Sequence, residues 1–146
     1  PCLAVSIFQG AFLLVAGRLL FGMHWGHQPW LLVPLVVSTS FAAIGLAMFI
    51  ASIARTETQV AIYGTLLVLV LGSLSGSVMG DRASMPEFMQ FVSRFTPHAW
   101  ALDAYRQLLT TPQPDIQAVT TACAILLGFG AGFLLVAWWC LSIDAE

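Results

Sequence analysis

Few side chains in this sequence could do chemistry, and their spacing restricts what they could do. His24 and His27 form an H-x-x-H pair, a spacing that metal sites use on helices. Here it falls in the turn GMHWGHQPW (22–30), among Gly and Pro and with no Cys, Asp or Glu nearby in sequence. No metal is expected there. His98 follows Pro97 with no nucleophile and no orienting third group in view, so interfacial packing is expected of it rather than general-base work. Cys2, Cys123 and Cys140 lie within or beside apolar runs and form no C-x-x-C pair, which argues against a zinc site or a disulfide framework. A phosphate-binding G-x-x-x-x-G-K-[ST] loop needs a lysine, and the chain has none. No catalytic residue and no cofactor site is expected in this chain. Arg18 stands apart as the one charge inside a long apolar run. An ionised side chain at membrane depth is costly and often functional, so Arg18 is a candidate pathway charge. It also lies close enough to Gly22 to snorkel to an interface.

The elements that must position these residues are membrane spans. The chain is 59% hydrophobic and 8% charged, against roughly a quarter charged in soluble domains. A net charge of −2, with all five basic residues arginine, lacks the dense basic face that nucleic acid requires. A crossing helix needs roughly 20 mostly apolar residues, and four stretches qualify, at about 3–23, 30–53, 60–79 and 116–143. Their apolar character is continuous rather than alternating, so the expected fold class is all-α, a polytopic helix bundle. The joints are short: the Trp-bearing turn at 22–30, the charged hairpin ARTET (54–58), and TTPQPD (110–115), whose Asp115 can cap the last span. The hairpin residues Arg55, Thr56 and Glu57 read most plainly as a solvated turn. The chain begins with Pro1 rather than Met and reads as a fragment or a processed product.

Two sets of glycines repeat every four residues, Gly72, Gly76 and Gly80 in the third span and Gly128 and Gly132 in the fourth. That spacing lets helix backbones approach closely in lipid. Incidental glycine is the alternative.

One segment, SMPEFMQFVSRFTPHAW (84–100), is too polar to cross. Ser84 and Glu87 form a capping box, with Pro86 in the first turn. Phe88, Phe91, Val92 and Phe95 then fall on one face of a helix over about 85–96. Pro97 stops that helix and opens another, over about 97–109, capped by Thr96. It carries Trp100, places Leu102, Tyr105, Leu108 and Leu109 largely on one side, and spaces Asp103 and Arg106 to pair. Two short amphipathic helices of this kind suit the membrane interface or the lip of a bundle.

With these residues in view, the sequence resembles the carboxy-terminal part of an ABC transporter permease of the type-2 exporter family. The resemblance rests on GLAMFIASIARTETQV (45–60), on MPEFMQFVSRFTPHAWALDAYRQLL (85–109), and on a long final span close to the carboxy terminus. It implies a permease subunit that forms a translocation pathway with a second permease half, identical or different. It implies separate ABC ATPase subunits that bind ATP on the cytoplasmic side, and a plasma (inner) membrane location with a cytoplasmic carboxy terminus. The chain would supply the last four of six spans, without the coupling helix that makes the main ATPase contact, and Arg55, Thr56 and Glu57 would be candidates for a minor ATPase-facing turn. The two short helices would lie on the outer face as interfacial or re-entrant elements gating the exit. Residues Pro86, Phe88, Phe91, Phe95, Pro97, Trp100, Asp103, Tyr105 and Arg106 are the candidates for that gate. A non-transporting membrane scaffold or regulatory subunit is the alternative function.

Charge distribution pulls against this orientation. The connection at 81–115 holds Arg82, Arg94 and Arg106, whereas the opposite side has Arg55. The positive-inside rule would therefore place the connection in the cytoplasm, and the family resemblance places it outside.

Overall fold

The computed structural model describes residues 1–22, 25, 28–75, 86–111 and 113–143. Among them the chain is helical, with no strand. Its order is α1 (Cys2–Phe21), a short 3-10 turn (Pro29–Leu31), α2 (Leu32–Ile53), α3 (Glu57–Leu74), α4 (Glu87–Ser93), α5 (Pro97–Thr110) and α6 (Ile116–Ile143). Four of these, α1, α2 with its leading turn, α3 and α6, are long and apolar enough to cross a bilayer. The chain is a polytopic helical bundle.

Local chemistry sets where the helices start and stop. Gly22 ends α1 in the left-handed region, at φ 63°, and its N–H returns to the Gly17 carbonyl. This closure favours glycine because a Cβ is strained there. Pro29 opens the 3-10 turn, and Pro34 sits in the first turn of α2, where a missing N–H costs little. The Thr56 hydroxyl accepts the Gln59 N–H at 3.3 Å, and Gln59 Oε1 accepts the Arg55 N–H at 2.9 Å. This reciprocal T-x-x-Q cap starts α3 at Glu57, earlier than the apolar run alone indicates. Asp115 Oδ1 accepts the N–H groups of Gln117 at 2.9 Å and Ala118 at 3.4 Å, capping α6.

The α2–α6 pair is the axis of the bundle. Hydrocarbon gives no hydrophobic drive between helices, so association rests on packing and close backbone approach. Gly45 and Gly130 provide that approach: a Cβ on Gly45 would fall 2.6 Å from the Gly130 carbonyl oxygen, and one on Gly130 would strike the Phe41 ring. Phe49 and Phe133 pack beside them with ring centroids 5.8 Å apart. The core continues through Leu31, Leu35, Leu108, Val119 and Leu126, joining the 3-10 turn, α2, α5 and α6. By contrast α1 packs chiefly on α2, and the apolar window of α3 has no buried residue.

The short helices differ in detail from the sequence reading. α4 is shorter than 85–96 and starts after Pro86, which occupies its cap position. The expected partner in that cap, Ser84, lies outside the described residues. Thr96 precedes α5, but its side chain does not cap it. The Thr96 hydroxyl instead donates to the Ser93 carbonyl at 2.7 Å. That carbonyl also accepts the Thr96 N–H at 3.0 Å, so the hydroxyl is a second donor to it. Trp100 Nε1 donates to the Arg94 carbonyl at 2.7 Å, supplying a donor just past the end of α4. The inward stripe of α5 is also a correction. Pro97, Ala101, Ala104 and Leu108 are its buried line, with Ala99, whereas Leu102, Tyr105 and Leu109 are half-buried flanks. Small side chains let α5 lie against the α2–α6 pair.

Candidate functional site

Three helices leave a gap beside the α4–α5 elbow. A crevice of about 250 Å³ opens between Thr39, Ala43 and Leu46 of α2, Gly72 of α3, and His98 and Tyr105 of α5. A second space of similar volume continues along α2 and α3, past Ile50, Val60, Gly64 and Val68, and shares Ala43, Leu46 and His98 with the first. The walls are almost wholly apolar. Gly64 lines the second space, with open room where a Cβ would be.

The titratable groups of the crevice, His98 and Tyr105, come from α5, and Thr39 of α2 and Ser75 at the end of α3 add hydroxyls. His98 Nδ1 is buried without a hydrogen-bond partner among the described residues. Burial lowers the imidazole pKa from its ordinary 6.5, because desolvation disfavours the charged ring. The Tyr105 hydroxyl bonds with Thr39, linking α5 to α2. Burial raises its pKa, opposed by the Thr39 bond and assisted by nearby Cys123. Thr39 in turn donates to the Leu35 carbonyl at 2.6 Å, so a polar residue inside a span is satisfied by its own helix. A mostly apolar slot with one imidazole, one phenol and the hydroxyls of Thr39 and Ser75 can hold or pass an amphipathic molecule. It contains no activated nucleophile.

The gate candidates divide by burial. Pro97, Trp100 and Tyr105 form the joint with the bundle, Asp103 and Arg106 are half-buried on α5, and Pro86 is exposed. Phe88, Phe91 and Phe95 turn outward at 76%, 61% and 66% exposure, while Ser93 of the same helix is fully buried. Ser93 can be buried because its hydroxyl donates to the Gln90 carbonyl at 2.8 Å. The aromatic side of α4 thus faces away from the chain, with Phe91 and Phe95 packed edge to face.

Arg18 is exposed near the end of α1, and its guanidinium lies 4.8 Å from the centre of the Trp25 ring. Arg55, Thr56 and Glu57 are exposed in the α2–α3 hairpin. Gly72 lines the crevice. Gly128 and Gly132 have no neighbour within reach of an added Cβ, so in α6 the close approach to α2 among the described glycines is made by Gly130 against Gly45. The run Gly128–Phe129–Gly130–Ala131–Gly132 offers two faces, and periodicity alone does not say which one meets α2. His24, His27, Gly76 and Gly80 lie outside the described residues. Among the described residues no cluster of three potential metal ligands occurs.

Comparison with known proteins bears directly on this arrangement. Residues 2–110, which include α1 through α5, match the family profile described as ABC-2 type transporter. The chain belongs to the ABC-2 type transporter family. This ABC-2 chain is also 29% identical over 127 residues to the linearmycin resistance permease protein LnrN of Bacillus subtilis (strain 168). The match covers 87% of the chain and 32% of that relative, so the chain spans about a third of the relative's length. No solved structure matched. Family and apolar helices together support a multi-pass membrane protein.

Within this ABC-2 chain, sequence reading missed the Thr56 cap, the Gly45–Gly130 contact, and the pairing of Tyr105 with Thr39. The first had a local signal in T-x-x-Q. The other two join residues far apart in sequence and had none.

Proposed function

We propose that the chain forms part of the translocation pathway of an ATP-driven exporter, working with a second permease half and with ABC ATPase subunits that carry the nucleotide. Membership of the ABC-2 type transporter family carries this reading. The crevice beside the α4–α5 elbow supports it, since it gives α3 room to move against α2 and α5 without breaking the α2–α6 axis. The relative's name ties that protein to resistance as a permease, which supports outward transport here.

In this reading α4 and α5 lie on the outer face of the plasma (inner) membrane, and the α2–α3 hairpin and the carboxy terminus face the cytoplasm. Arg55, Thr56 and Glu57 then make a minor ATPase-facing turn. The outward Phe88, Phe91 and Phe95 face suits the bilayer interface, where an amphipathic helix lies in the plane. Arg18, at a span end and over a Trp ring, acts as an interfacial residue rather than a pathway charge.

The test is purification of the complete protein, as encoded, in mild detergent with its native neighbours. An ABC ATPase subunit in stoichiometric amount, with ATP turnover that depends on the membrane chain, is the expected result. A stable preparation with no ATPase would favour a non-transporting scaffold.

A further inference from the structure

We infer that the groove between α1 and α2 is a binding site for an anionic phospholipid, with one acyl chain in the groove and the phosphate on Arg18. The groove encloses about 200 Å³ and is lined by Ile7, Leu14 and Val15 from α1 and by Val33 and Val37 from α2. Trp25 also lines it. Its indole N–H is used inward, donating to the Leu14 carbonyl at 3.4 Å, which holds the ring across the groove. Arg18 stands over that ring.

Charge complementarity identifies the occupant. Among the described residues Arg18 makes no ion pair and no hydrogen bond, and the Trp25 ring is its one polar or ring contact. A guanidinium offers five N–H donors in a fork that matches phosphate oxygens. The cation therefore lies against the Trp25 ring that borders the groove, and no donor of its guanidinium is taken up among the described residues. A zwitterionic lipid would fill the groove equally well but bring an ammonium group to the same cation. The site is on the flank of α1 and α2, apart from the α3–α5 crevice, and does not rest on the exporter reading.

The experiment uses the complete protein in detergent micelles doped with phosphatidylglycerol or with phosphatidylcholine of the same acyl chains. Melting temperature is the readout. Phosphatidylglycerol is expected to raise Tm by several degrees more than phosphatidylcholine, and inorganic phosphate alone to have no effect. Arg18→Gln is expected to abolish the difference between the two lipids and Arg18→Lys to keep part of it. Should Arg18→Gln fail to fold, Val37→Trp fills the groove with Arg18 intact and is expected to reduce the phosphatidylglycerol increment. Equal responses to the two lipids in the wild type, an undiminished increment in Arg18→Gln or in Val37→Trp, or a response to free phosphate would each overturn the site.

Discussion

Single residues decide how tightly the central pair of helices can pack. Gly45 and Gly130 meet through their backbones, so a side chain at either must push α2 and α6 apart. Overpacking typically costs about 1–3 kcal/mol. Gly45→Leu is expected to lower the melting temperature and yield of the complete protein, whereas Gly128→Leu, where a Cβ meets open space, is expected to leave the fold intact. Thermal unfolding in detergent compares the two. His98 gives a pH-dependent counterpart. Burial disfavours its charged form, so the folded chain holds that proton less tightly than the unfolded chain does. The stability associated with neutral His98 is complete above its ordinary pKa of 6.5 and is lost as pH falls from there through the lower folded value. Melting curves between about pH 7.5 and pH 5 are expected to show a decline that is shallower in His98→Gln. Parallel declines would remove His98 as the cause. Legibility at this scale follows locality. Asp115 could be read because a cap and its N–H groups are neighbours in sequence. The close contact between Gly45 and Gly130 could not, because it depends on which face of α6 meets α2.

The elements were more legible than their contacts. Long apolar runs announce spans, and Pro97 punctuates the short helices whatever surrounds them. Yet the phenylalanines of α4 read equally well as a face turned inward or outward, and the outcome is outward, with Ser93 taking the buried position. On α5 the larger apolar residues drew attention, while Ala101 and Ala104 carry the packing. Amphipathicity identifies a helix more securely than it identifies the neighbour, since close packing rewards small side chains that score weakly as hydrophobic. Orientation is tested on elements as well. Glu87→Cys at the start of α4 is expected to react with an impermeant maleimide in intact cells, and Glu57→Cys in the α2–α3 hairpin only after lysis. Both side chains are exposed. The reverse pattern would place α4 and α5 in the cytoplasm, as the arginine distribution suggests.

At the scale of the whole molecule the bundle is lopsided. The α2–α6 pair and α5 share a packed core, while α1 and α3 present most of their apolar surface outward. In lipid such surfaces need not be covered by protein, but α3 borders a crevice on one side and the outside on the other. That position makes α3 the element able to shift relative to α2 and α5 at least cost to packing. The proposed export cycle therefore calls for a movement of α3 driven by nucleotide on the proposed ATPase subunit. The most direct measurement is the maleimide labelling rate of Gly64→Cys, in a variant freed of its other cysteines and purified with the proposed ATPase subunit. Leu69→Cys on the exposed side of α3 serves as control. Trapping the nucleotide-bound state with ATP and vanadate is predicted to change the Gly64→Cys rate several-fold and leave the Leu69→Cys rate nearly constant. An unchanged Gly64→Cys rate in an assembly that hydrolyses ATP would contradict the account.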